Sequence, residues 1–192
     1  IFLVIMDTQG ARLVVLDVPP GITFGIDAMS YTTGKEFRGV RSIPPGLHFC
    51  HYSVGGGDEQ QSNGYGGRHG FFFLASSLDQ VLVWRWDKLE EDLVSCESES
   101  GAGARKGSLP EGSLAALLSA ARRGDLDASL GPYPQDKAEL WGELTSCISG
   151  SVLESCGLAF GVKVLPGCDH TGGIGLLDGG DGLEEDGDDD DE

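Results

Sequence analysis

Six short stretches of β-branched and aromatic residues fill most of the first ninety positions, and prolines and glycines punctuate them. They are RLVVLDV (12–18), ITFGID (22–27), FRGVRSI (37–43), LHFCHYS (47–53), HGFFFLAS (69–76) and DQVLVWRW (79–86). Runs of this length and composition, bounded by turn residues, read as strands. Pro-Pro-Gly follows the first and third of them, at 19–21 and 44–46. There proline fixes φ and glycine takes the positive φ that a tight turn needs. LHFCHYS is then the hairpin partner or neighbour of FRGVRSI. The side chains of Phe37, Val40, Ile43, Leu47 and Phe49 are expected to supply core, and Gly39 and Gly46 are backbone choices. A chain built this way is committed to a sheet or sandwich.

The second half changes period. In SLAALLSAARR (113–123), Leu114, Leu117, Leu118 and Ala121 fall at i, i+3, i+4 and i+7, which is one helix face. DKAELWGELTSCI (136–148) places Leu140, Trp141, Leu144 and Ile148 in a similar way, so a second helix is expected over 136–149. DKLEEDLV (87–94) also reads as helical, with Asp87 as its N-cap. LGPYP (130–134) reads as a rigid connector. The expected fold is α+β and mainly β: a β-sandwich-like unit over 12–86, with helices from 87–150 packed after the strands. The domain spans 10–156. Residues 1–9 are expected to be an extraneous or flexible start, with Met6 expected as the natural first residue. Residues 157–192 are a Gly-rich segment and then an acidic tail.

The 31 glycines, far above the usual ~7% share, concentrate in segments without hydrophobic period. Segments 54–67, 96–109 and 169–192 lack the apolar residues to offset an ordering cost of ~1–2 kcal/mol per residue, so mobility is expected there. The net charge of −18 is uneven, because ten acidic residues and no basic one lie between Asp178 and Glu192. The rest of the chain carries −8, from −18 less the tail's −10. Affinity for nucleic acid comes mostly from neutralising phosphates, so an acidic chain is a poor direct ligand for it. Protein partners are expected, basic ones among them. No stretch approaches the ~20 apolar residues of a membrane helix, and IFLVI at the start lacks the basic flank of a secretory signal. Five cysteines without a CxxC pair point to reduced thiols in the nucleus or cytoplasm.

The residues that could carry chemistry do not assemble. His48 and His51 are three apart on a strand, so they face opposite sides and cannot share a metal. His48 and Cys50 share a face, but two ligands are short of a zinc site. Cys168, Asp169 and His170 are adjacent in sequence within a Gly-rich context, where a thiol–imidazole pair has no scaffold. The Gly-rich stretches lack the strand–loop–helix spacing of a phosphate loop. The acidic tail lacks EF-hand spacing. Trp84 and Trp86 share a strand face with Leu82 and belong to a core or an interface. Arg85, between them, points the other way towards a carboxylate. Neither cofactor, metal nor catalytic activity is expected.

An ordered series of motifs resembles a known family. VLDVPPGITFGID, KEFRGVRSIPPGLHFCHYS, RHGFFFL, VLVWRWD, LGPYP and WGELTSCI follow one another as in the N-terminal domain of the A1-cistron-splicing factor (AAR-two) proteins. The similarity covers roughly Gly10 to Cys156. The segments at 55–67 and 96–112 look lineage-specific, and beyond Cys156 there is no match to the family's helical C-terminal domain. The resemblance implies a non-enzymatic assembly factor of the U5 small nuclear ribonucleoprotein. Its partner would be the large U5 scaffold protein, at that protein's RNase H-like and Jab1/MPN-like domains. Asp27, Phe37, Arg38, His48, His51, Trp84 and Trp86 are the candidate residues. The polar ones among them either hold loops by hydrogen bonds or touch the partner.

Overall fold

The computed structural model describes residues 9–53, 67–96, 109 and 112–165. The segments expected to be mobile lie largely outside the described residues, as do the acidic tail and the Cys168–His170 stretch. The described residues form ten strands and three α-helices: β1 Ala11–Leu16, β2 Thr23–Ile26, β3 Met29–Thr32, β4 Gly39–Ile43, β5 Gly46–Ser53, β6 Arg68–Ala75, β7 Val81–Asp87, β8 Asp92–Ser95, α1 Ser113–Arg123, β9 Gly131–Pro132, α2 Ala138–Thr145, α3 Gly150–Ser155 and β10 Lys163–Val164. They make two five-stranded sheets, ordered β8-β7-β1-β4-β9 and β10-β6-β5-β2-β3. The fold is the mainly β, α+β sandwich that the period of the sequence predicts.

One core lies between the sheets. The first contributes Leu13, Val15, Val40, Ile43, Trp84 and Trp86, and the second Phe24, Ile26, Tyr52, Phe71 and Phe73, all buried. Each such side chain contributes roughly 1.5–3 kcal/mol. The first sheet is covered on its other face as well. Val14, Val81 and Val83 pack there with Ala121 of α1, against which Leu114, Leu117 and Leu118 also lie. That double burial is why β1 reads as a nearly unbroken apolar run rather than an alternating one. It also lets β1 pair in parallel with β7, from Arg12↔Val81 to Leu16↔Arg85. The helix forms where its apolar face was read, and Gly124 ends it in the left-handed region (φ 83°) behind Arg122 and Arg123.

Several local readings are corrected. β4 and β5 are not a hairpin: β4 pairs with β1 in one sheet, and β5 pairs with β2 and β6 in the other. Pro44 and Pro45 carry the chain between sheets. The parity of β5 is also the reverse of the reading. His48, Cys50 and Tyr52 face the core, while Leu47 and Phe49 are half-buried on the outer face. HFCHY offers bulky side chains on both parities, so alternation alone does not choose. DKLEEDLV is not a helix, and the span 87–150 is not wholly helical. Asp87 does accept hydrogen bonds from the N–H groups of Leu89 and Glu90 (2.8 and 3.3 Å), but Glu91 at φ 50° then turns the chain into β8. LGPYP is no mere connector. Its Gly131–Pro132 pairs in parallel with β4 and its Tyr133 enters the core.

The second helix ends at Thr145, and Ser149 starts a separate one by accepting a hydrogen bond from the Val152 N–H (3.3 Å). The Trp141 indole donates to the Leu47 carbonyl (2.7 Å), which turns Trp141 and Thr145 inward and leaves Leu140 and Leu144 exposed. Residues 157–165 are not only a Gly-rich trailing segment, since β10 adds to β6 there.

Candidate functional site

Asp27 sits in the two-residue loop between β2 and β3, with φ 52°, a conformation that Asp tolerates better than most residues. Its carboxylate turns into the sandwich, where its side chain has no solvent exposure. Oδ2 faces His48 Nδ1 at 2.6 Å and accepts from the Tyr133 hydroxyl at 2.6 Å. Oδ1 accepts from the Phe49 N–H at 2.8 Å. The second ring nitrogen of His48, Nε2, lies 2.8 Å from the Pro44 carbonyl, which can only accept. Burial, followed by the Asp27 carboxylate beside it, pushes the Tyr133 hydroxyl well above its ordinary range. The network therefore ties together the β2–β3 loop, the Pro-Pro-Gly crossing and the segment after β9. Both nitrogens of His48 are occupied and the ring is buried, so this His–Asp pair is arranged to hold backbone in place.

A second polar cluster closes the sandwich edge between β8 and β10. The Tyr52 hydroxyl donates to Asp92 Oδ1, and the Lys163 ammonium donates to the Tyr52 oxygen and to Asp92 Oδ1, the latter at 3.1 Å. His69 Nδ1 lies 3.5 Å from the same carboxylate oxygen. Burial raises the Asp92 carboxyl, but the Tyr52 hydroxyl and the Lys163 ammonium outweigh it and hold it below its ordinary value. A carboxyl depressed in the folded state contributes stability that is complete above its unfolded value and is lost as pH falls through the folded one. Asp92→Asn should therefore lose less stability than the parent between about pH 6 and about pH 3. Urea melts at the two pH values measure this, and equal losses would remove Asp92 from the acid response.

The other sequence-predicted residues are placed apart. Phe37 packs against Phe24 and Tyr31, with ring centres at 5.0 and 5.8 Å. Arg38 is exposed, and its backbone bonds to Val15 and Ser129. His51 lies on the outer face of its sheet, stacked near Phe49 and directly over Gly25, where a Cβ would come within 2.1 Å of its ring. Burial and then the Arg68 charge depress its proton affinity. Trp84 stacks on Phe71 at 3.8 Å and Trp86 meets Tyr52 edge-on at 5.9 Å, so both are core. Arg85 donates to Asp17 (2.8 Å) on the opposite face, as its strand parity predicts. Cys50 is fully buried beside His48, and burial pushes its thiol up, away from reactivity. Among the described residues no group of three His, Cys, Asp or Glu side chains is spaced to hold a metal. A groove of about 580 Å³ opens beside His48, between the Pro44–Leu47 crossing, Leu74, Trp141, Ile148 and Phe160.

Residues 9–157 match the family model described as the AAR2 N-terminal domain. The chain belongs to the AAR2 family. Among curated relatives it is similar to the AAR2 homolog of Homo sapiens, 39% identical over 149 residues, which is 76% of this chain and 34% of that protein. It is also similar to the AAR2 homologs of Mus musculus, 38% identical over 147 residues (76% and 34%), and of Caenorhabditis elegans, 29% identical over 149 residues (78% and 35%). The chain thus spans about a third of the length of these AAR2 relatives. For this AAR2-family chain, sequence reasoning named Asp27 and His48 but missed their third partner, Tyr133. It also missed Asp92 and Lys163. The signal for Tyr133 was present in LGPYP, where an aromatic hydroxyl between two prolines is a poor occupant of a solvent-exposed linker.

Proposed function

We propose that this chain is a non-enzymatic assembly factor in pre-mRNA splicing, which binds the large scaffold protein of the U5 small nuclear ribonucleoprotein during biogenesis of that particle. The observation that carries this reading is the AAR2 match across residues 9–157, in the motif order that marks the splicing-factor family. Membership supports the role in splicing. The proposed contacts are with the scaffold's RNase H-like and Jab1/MPN-like domains, in nucleus and cytoplasm. The architecture is compatible with a binding module. Its two polar clusters are spent on holding loops and edges, and apolar side chains such as Leu74 and Phe160 stand 43% and 45% exposed beside the groove. A specific interface needs shaped apolar anchors of that kind within a polar rim.

Deleting Asp178–Glu192 tests the reading against an acidic chaperone for basic partners. Attraction by the tail is long-range, and at ~0.15 M salt the Debye length is about 8 Å, so most of it is screened. Binding to the U5 scaffold protein, measured at that salt, should change less than about threefold, ~0.7 kcal/mol. Loss of nearly all binding would make the tail the working element and the chaperone reading the better one.

A further inference from the structure

The Lys163 ammonium sits in a site of a recognisable kind. Its Nζ lies 4.9 Å from the centre of the Tyr52 ring, 5.1 Å from Trp84 and 5.2 Å from Phe71, and it pairs with Asp92 at 3.1 Å. The Tyr52 oxygen, the Asp92 carboxylate and the rims of the stacked Phe71 and Trp84 rings form a cage around this alkylammonium, a charge-assisted arrangement that suits a lysine side chain. The rings come from β5, β6 and β7, so the cage exists only because the two sheets face each other. Its resident arrives on a short strand. Among the described residues only Lys163↔Phe71 and Val164↔Gly70 pair, with one further bond from the Gly161 N–H to the Phe72 carbonyl (2.8 Å).

The resident segment fits the edge incompletely. β6 is eight residues long, and among the described residues nothing pairs with its outer edge from Phe73 to Ala75. An open groove lined by Phe73, Leu82, Trp84 and Val162 runs beside it, and Val162 is 40% exposed. A partly open strand edge is a template for a strand from another chain. Burial lowers the proton affinity of Lys163 despite Asp92, so the ammonium is held at a desolvation cost that release to water would recover.

We propose that the β6 edge and the cage beside it form a receptor for an extended, lysine-bearing segment of a partner protein, occupied in the resting molecule by the chain's own Gly161–Val164. The acidic charge of the chain favours such a basic segment. A longer strand in the same register would fill the groove that the resident leaves open and place its lysine in the cage. The inference is independent of the splicing role.

The test uses the full chain carrying Lys163→Ala and an acetylated peptide AFGVKVL, the sequence of residues 159–165. Calorimetry should show the peptide binding the variant at least tenfold more tightly than the parent chain, where Lys163 competes. Replacing the peptide lysine with norleucine, or with trimethyl-lysine, which has no N–H to donate to Asp92, should weaken binding at least tenfold. Equal binding of the norleucine peptide, or none of the lysine peptide to a folded variant, overturns the proposal. If Lys163→Ala does not fold, amide exchange of the parent chain decides. The Gly161 amide should exchange at least tenfold faster than the amides of β5, and protection equal to β5 would show a fixed strand rather than a releasable one.

Discussion

Asp27→Ala should lower the free energy of unfolding by about 3–5 kcal/mol, because three buried polar groups lose the partner they share. They are the Tyr133 hydroxyl and the Phe49 N–H, which donate to the carboxylate, and His48 Nδ1, 2.6 Å from it. Each would be left in a place that water does not reach, at a cost of about 1–3 kcal/mol apiece if nothing relaxes. The loop adds a smaller term, because alanine is less tolerant than aspartate of the φ of 52°. Asp27→Asn keeps the shape and the backbone preference but surrenders part of the accepting capacity, so it should fall between alanine and the parent. Tyr133→Phe removes one donor and leaves the acceptor with two others, so about 1 kcal/mol is expected. Urea melts at pH 7 should give that order with an unchanged m-value. A loss below about 1 kcal/mol for Asp27→Ala would mean that the network is dispensable to the fold.

Gly39→Ala should be as damaging, by a steric route. Gly39 opens β4 at φ 125°, and a Cβ there would stand 1.9 Å from the Leu13 carbonyl oxygen. The obstacle is backbone of β1, paired with β4 through Leu13↔Val40 and Val14↔Gly39, so relief requires the two strands to part. Left-handed extended backbone is essentially glycine-only, and strain and clash together should cost at least about 3 kcal/mol. For a domain of this size that is a fall in Tm of roughly 6–12 °C. Gly34→Ala is the control, since a Cβ at Gly34 meets nothing within 4 Å, and it should change stability by less than about 0.5 kcal/mol. Similar melting temperatures for the two variants would show that β1 and β4 can part without penalty.

What the sequence by itself determined is local. The β-branched and aromatic runs become strands and SLAALLSAARR becomes α1, because short-range periodicity reports which faces a segment can bury. Trp84 and Trp86 point inward and Arg85 outward for the same reason, and Gly39 and Gly46 hold positive φ where β4 and β5 begin. What only the tertiary structure decided is how these pieces meet. FRGVRSI and LHFCHYS are joined by three residues yet belong to different sheets, because β1 and β2 offer them separate partners. The face of β5 that turns inward puts His48 in the core, and an alternating pattern cannot prefer a buried histidine. Burial there is acceptable only once Asp27 and Pro44 stand beside its two nitrogens. Tyr133 reaches the same carboxylate from 106 positions away, and Lys163 reaches Asp92 from 71. A polar group's burial depends on a partner that local sequence does not contain, so the folded chain alone brings these residues together.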